Sequence, residues 1–412
     1  MNILRLFLLL AFLPIIITTT CFAQEKNISE YIRLAEQGDA EAQYELGLYY
    51  INGDGVQQSY GEAVKWFRMS AEQGYAPAQC ELGMCYAEGD IIEPSEEEAV
   101  KWFSKSAKQG YAEAQCDMGL CYVRGFGVPK SYKEATKWFI MSAEQGFAPA
   151  QYYVGLYAEN DDGSPLPAEE EVKWFRMAAE QEYAPAQYFL GVYYANGDGV
   201  QQSYEEAAKW YRKAAEQGDV FAQRELGIAY ARGAGVPQSY EEALKWTRMA
   251  AEQGDAGAQF NLGLAYYNGD GVRQSYEEAL KWTRMAAEQG DADAQLNLAS
   301  SYYNGDGVRQ SYEEAAKWYR KAAEQGDPQA QTNLGLCYLE GTGVKQDNEL
   351  AAEWTKKAAE QNYPRAQYLL GALYKNGIGL EKNEKKALMW ATKAYSQGFE
   401  EAYDLIKAIT RD

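Results

Sequence analysis

All ten tryptophans of the chain are spaced by 36 residues, at Trp66, Trp102, Trp138, Trp174, Trp210, Trp246, Trp282, Trp318, Trp354 and Trp390. A strict period of about 20–50 residues restricts a chain to solenoids, propellers and arrays, because each unit leaves an apolar face that only its neighbour covers. Other columns keep the register. Ala42-Gln43 returns in every unit up to Ala366-Gln367. Gly47 returns up to Gly371 with Ala299 as the exception, and Tyr50 up to Tyr374 with Ala158 as the exception. At 412 residues the chain is also too long for one compact core, which favours the array.

Within a unit, Ala42, Leu46 and Tyr50 fall at i, i+4 and i+8 and predict a first helix, helix A, over 40–51. Asn52-Gly53-Asp54-Gly55 stops it, since glycine adopts the left-handed conformation that closes a helix. Ser59 followed by Glu62 has the spacing of a capping box, repeated at Ser131/Glu134, Ser203/Glu206, Ser239/Glu242, Ser275/Glu278 and Ser311/Glu314. Helix B then runs to about Gln73 and stops at Gly74, with Ala63, Trp66, Ser70 and Ala71 as its expected buried side. Runs of alternating β-branched residues are missing, so no strand is expected. Ten helical hairpins fill 40–399. Residues 24–39 and 400–412 read as capping helices, because Glu30 stands in the tryptophan column and Lys407 in the glycine column.

Residues 1–23 combine Arg5, an apolar run from Leu6 to Ile17 and Cys21-Phe22-Ala23, the pattern of a signal peptide cleaved before Gln24. The mature protein is therefore expected outside the cytoplasm, periplasmic or secreted, with no transmembrane span after signal removal. The formal net charge of −21 loses only one positive charge with that segment. Such a surface repels phosphate backbones, so nucleic acid is not an expected partner.

The run Leu190-Gly191 to Tyr194, Gly197-Asp198-Gly199-Val200, Ala207-Ala208-Lys209-Trp210 and Ala214-Ala215-Glu216-Gln217-Gly218 is similar to the Sel-one-like repeat. Tetratricopeptide repeats share the Leu-Gly-x-x-Tyr element but have a period of about 34, with their tryptophan ahead of it. The resemblance covers almost all of the mature chain. It implies an all-α fold, a right-handed superhelical solenoid of helix-turn-helix repeats, whose concave side carries a protein or peptide segment in adaptor proteins. Two loops depart from the pattern: Gly89-Asp90-Ile91-Ile92-Glu93-Pro94 lacks the second glycine, and Asp161-Asp162-Gly163-Ser164-Pro165-Leu166-Pro167 replaces the capping box.

The chain has no histidine, which removes histidine-assisted nucleophiles, histidine bases and the usual zinc ligand sets. The 60 acidic residues read mostly as solvated helix faces with i, i+4 pairs such as Glu205 with Lys209 and Glu277 with Lys281. Neither catalysis nor any cofactor or metal is expected. The competing reading, an exported carboxylate-based enzyme or cell-wall-fragment binder, requires the repeat to break at one place in a polar cluster, whereas the sequence varies the same columns in many units. The five cysteines left after signal removal, Cys80, Cys85, Cys116, Cys121 and Cys337, all lie in helix A. Spacing within a helix and between adjacent units suits disulfide geometry poorly, leaving Cys85 to Cys116 as an open diagonal. Cys337 reads as a buried free thiol.

Columns 41, 44, 45 and 52 project into one arc of helix A and vary most between units. The candidate partner-binding residues are Tyr44, Glu45, Tyr152, Tyr153, Tyr188, Phe189, Arg224, Phe260, Asn261, Asn297, Asn333 and Tyr368. Exposed aromatics are the residue types of binding hot spots, and asparagine both donates to and accepts from an extended backbone. A tail lying across the fourth to ninth units, anchored at Tyr152, Tyr153, Tyr188 and Phe189 and aligned by the asparagines, is the expectation. The alternative is that these side chains pack against neighbouring hairpins.

Overall fold

The structure, a computed structural model, describes residues 28–89, 91–158 and 163–410. The expected signal peptide over 1–23 lies outside them, as does the acidic turn Asn160-Asp161-Asp162. The described residues form twenty-two helices and no strand, and the fold class is an all-α solenoid. The chain divides into two compact units, the first ending at Ser203 and the second beginning at Tyr204. In each, helices A and B alternate along the chain and pack on their sequence neighbours.

The first hairpin shows why the sequence folds this way. Helix A spans Ala40–Asn52; the Asp39 carboxylate accepts a hydrogen bond from the Ala42 N–H at 2.7 Å, and Gly53 closes the helix at φ 77°. Helix B spans Tyr60–Glu72, where Ser59 accepts from the Glu62 N–H at 3.3 Å. Both devices satisfy amide groups that a helix end leaves unpaired. The second loop glycine has a separate reason. A Cβ added to Gly127 would lie 2.6 Å from the Glu96 carbonyl of the preceding helix B, so this loop passes too close to backbone for any side chain. Position 91, which is Ile in the departing loop, is exposed.

Between the two helices of a hairpin lies a residue that the tryptophan spacing did not point to. In the first unit Phe67, Phe103, Phe139 and Phe175 are all essentially inaccessible. Each ring lies against the glycine of the facing helix A: a Cβ on Gly83 or Gly155 would be 2.7 Å from Phe103 or Phe175. In the second unit Thr247, Thr283 and Thr355 take the same place under Gly227, Gly263 and Gly335. Most of the tryptophans are half-buried instead, and lysines cap several rings, as Lys105 does over Trp102 and Lys321 over Trp318 at 3.8 and 3.9 Å.

The recurring Ala-Gln pair is the staple of the array. Gln43 donates its side-chain amide to the Ala35 carbonyl of the preceding helix at 3.0 Å and accepts from Gln73 of its own helix B at 2.7 Å. Gln259 repeats both bonds in the second unit, to Ala251 at 3.2 Å and from Gln289 at 2.8 Å. One buried amide thus joins three helices and satisfies a carbonyl at a helix end.

One detail differs from the expectations. Glu205 and Lys209 pair at 3.0 Å as anticipated, but Lys281 reaches Glu278, one turn position closer than Glu277, at 3.6 Å. The tyrosines Tyr60, Tyr204 and Tyr240, at the first position of helix B, are exposed.

Candidate functional site

In the first unit the variable face of helix A carries two adjoining surfaces of different chemistry. Over the helices Ala40–Asn52, Ala76–Glu88 and Ala112–Arg124 it is acidic, with Glu41, Glu45, Glu81, Glu113 and Asp117, and the only basic residue these helices contain is Arg124 in the last turn of the third. Tyr44 lies among them, its ring 5.5 Å from Tyr75 and 5.8 Å from the core ring of Phe67. Burial, then the charges of Glu81 and Glu113, hold the Tyr44 hydroxyl well above the usual phenol range, so it stays protonated and able to donate. Glu81 is half-buried, and burial followed by the charge of Glu113 pushes its carboxyl up to about 7.

Asp117 is the residue that the sequence reading passed over. It stands in the column of Glu45, and among the ten residues of that column it alone is buried, at 7% exposed. Its carboxylate accepts from the Cys80 thiol at 3.3 Å. The column register placed it on the variable face. Depth within the face was not legible there.

Over the helices Ala148–Tyr157 and Ala184–Asn196 the same face is aromatic. Tyr152 meets Phe189 at 5.6 Å and Tyr183 at 5.5 Å, and Tyr188 meets Phe189 edge-on at 5.4 Å. The structure brings all four expected anchors together and also gives two of them a packing role. Tyr153 stacks on the buried ring of Phe139 at 5.4 Å, and Phe189 on that of Phe175 at 5.5 Å. All four remain half-buried, with one side in the core and the other on the surface.

In the second unit the remaining candidates are more occupied. Arg224 pairs with Asp255 at 2.8 Å and with Glu225 at 3.3 Å, so its charge is already answered. Asn297 donates to the Asp293 carbonyl one turn back at 2.9 Å. Together with Tyr267, Tyr276, Ser300, Ser301 and Asn304, Asn297 lines a small depression that opens to solvent. Asn261 and Asn333 are half-buried, Phe260 packs on the core of Ala286, Ala294 and Leu298, and Tyr368 lies 5.3 Å from Phe399.

The cysteines are free thiols: Cys80, Cys116, Cys121 and Cys337 are buried and Cys85 half-buried, with no Cys85–Cys116 bridge. Burial pushes the Cys337 thiol up to about 11 and that of Cys85 to about 12, which makes both poor nucleophiles. Among the described residues no group of three His, Cys, Asp or Glu is placed to hold a metal ion, and no helix is long and apolar enough to cross a membrane.

Comparison with known proteins fits this geometry. The family described as Sel1 repeat matches ten consecutive segments, from 40–75 to 364–399. A protective antigen of uropathogenic Escherichia coli strains, described as displaying an SLR fold, is 33% identical over 93% of this chain and 90% of its own, with a TM-score of 0.59. A Sel1 repeat protein from Oxalobacter formigenes is 31% identical over 84% of this chain and 89% of its own, with a TM-score of 0.51. Among curated proteins nothing matches. Sel1 repeat proteins generally act as scaffolds for protein–protein interaction. With ten matched repeats and these two structures spanning most of its length, the chain belongs to the Sel1 repeat family.

Proposed function

We propose that this protein is an exported, non-enzymatic scaffold whose first compact unit captures a protein segment bearing basic residues beside an aromatic or aliphatic one. The observation that carries the reading is the junction of an acidic helix-A face, served by one arginine, with a half-exposed aromatic cluster at Tyr152, Tyr153, Tyr188 and Phe189. Carboxylates on a concentrated face steer and hold a cationic partner, and rigid aromatics supply contact area at low entropic cost. Export draws support from residues 1–23 and from the Escherichia coli relative, since a protective antigen is one the immune system meets. Amino-terminal sequencing of the exported protein, expected to begin at Gln24, checks that part.

A displayed library of random peptides, selected on the full chain, tests the binding reading. Enriched peptides should carry Lys or Arg next to an apolar residue, and their affinity should fall steeply with salt. The double substitution Glu41→Lys with Glu45→Lys should weaken them by about tenfold or more, roughly 1.4 kcal/mol, with the helical circular dichroism unchanged. Equal binding to the charge-reversed chain would sink the proposal. Alanine at Tyr153 or Phe189 is a poorer test, because each also removes a stacking partner of the core.

A further inference from the structure

Asp117 has no role in the packing scheme that the other repeats follow. Its carboxyl lies between the helices Ala76–Glu88 and Ala112–Arg124, nine-tenths buried, where Cys80 and Cys116 are each 3% exposed. The donor it meets is the Cys80 thiol, a weak one. The groups that bear on it are Glu113 and Arg124 from its own helix and Cys80 and Glu81 from the neighbouring helix A. The thiols of Cys116 and Cys121 on its own helix also feel its charge. Helix Ala148–Tyr157, which also packs on this helix, brings Tyr153 beside Cys116. The helices B on either side commit charges to exposed pairs, Lys101 with Glu98 and Lys137 with Glu134. An ionised carboxylate in such a place lacks a matched cation, and burying it costs several kcal/mol.

A second, independent feature concerns the same joint. Where the fourth repeat meets the fifth, Arg176 donates to the Tyr194 hydroxyl at 2.7 Å, and in the second unit Arg212, Arg248 and Arg284 bridge to Tyr230, Tyr266 and Tyr302 in the same way at 2.6, 2.8 and 2.7 Å. At the joint between the second and third repeats the arginine position is Ser104. The bridge is therefore missing where the buried acid sits, as it is at the next joint, where Ile140 holds the arginine position.

We propose that the joint between the second and third repeats is held by a proton, with Asp117 serving as a neutral acid between the two helices A, so that the joint loosens as the pH rises. The direction follows from the environment. Burial first, then the charge of Glu113, raises the Asp117 carboxyl well above the usual range, and Glu81 beside it is pushed up to about 7. A carboxyl that binds its proton more tightly in the folded chain stabilises fully below its unfolded value of about 4, and that contribution is lost as the pH climbs through its folded value. Glu81 carries its own share of the loss between about 4.5 and about 7, and Asp117 adds to it in the same direction. The proposal is independent of what the face binds.

Hydrogen–deuterium exchange of the full chain between about pH 5 and about pH 8, corrected for intrinsic rates, tests it. Protection of the helices Ala76–Glu88 and Ala112–Arg124 should fall about tenfold or more relative to Ala256–Asn268 and Ala292–Asn304, the equivalent of a carboxyl titrating one pH unit above its unfolded value. Asp117→Asn should shrink the difference to the share that Glu81 carries, and asparagine is at home in this column at Asn261, Asn297 and Asn333. The infrared carbonyl stretch of a protonated carboxylic acid gives a readout in the unmodified chain, and it should persist near neutral pH and shrink as protection falls. Protection that follows the reference helices at every pH, an unaltered pH response in the Asp117→Asn variant, or no protonated carboxyl near pH 6 would each overturn the proposal.

Discussion

The two compact units share one 36-residue frame and fill it with different chemistry. In the first, a phenylalanine lies under each helix-A glycine of the first four repeats; in the second, Thr247, Thr283 and Thr355 take the place. The second ties most of its repeats with Arg–Tyr bridges, Arg320 to Tyr338 being a further one, where the first has Arg176 to Tyr194. In the first unit Ser104 and Ile140 stand in the arginine column, and thiols and an acid occupy the variable face. The contrast teaches that the glutamine staple and the helix caps define the hairpin, while the residue between the helices is free to differ under the same glycine. The eighth repeat carries that freedom to both positions: Ala299 replaces the glycine, and Tyr319, buried at 5% exposed, replaces the phenylalanine or threonine.

The largest expected effect breaks the comparison at its filler. Phe139→Ala should cost about 3–5 kcal/mol, because a fully buried ring leaves a cavity that rigid helices close poorly. Thr283→Ala should cost less than half as much. Denaturant unfolding followed by tryptophan fluorescence measures both, and equal losses would show that the threonine hydrogen-bonds its way to the same stability.

Smaller, and the same in both units, should be the cost of losing the staple. Gln79→Met or Gln259→Met takes one of its hydrogen bonds from a helix-end carbonyl and removes the acceptor of the Gln109 or Gln289 amide, about 1–3 kcal/mol in all. A difference between the two substitutions larger than that range would mean that the units do not share a frame.

The smallest effect concerns the bridges. Arg284→Met should destabilise the second unit by about 0.5–1.5 kcal/mol, the range for one partly exposed hydrogen bond with a ring contact. The reverse substitution Ser104→Arg should let the first unit gain the bridge to Tyr122 and slow amide exchange across that joint. A Ser104→Arg chain with unchanged exchange would show that the bridge follows from tight packing and does not cause it.

What the sequence determined is everything set by local chemistry. Period, helix bounds, Asp and Ser caps and left-handed glycine stops depend on residues within about one turn of each other, and the helix over 40–51 is found at Ala40–Asn52. Which arc of helix A varies was legible for the same reason, since a fixed angle per residue assigns a side chain its direction. Depth was not legible. Tyr153 and Asp117 occupy one column, yet one is half-buried and stacks on Phe139 while the other is enclosed beside Cys80. Gln43 showed its constancy but not its partners, which lie 8 and 30 residues away on two other helices. Those contacts exist only once hairpins pack, because enclosure depends on the volumes of neighbours that a helical wheel leaves out.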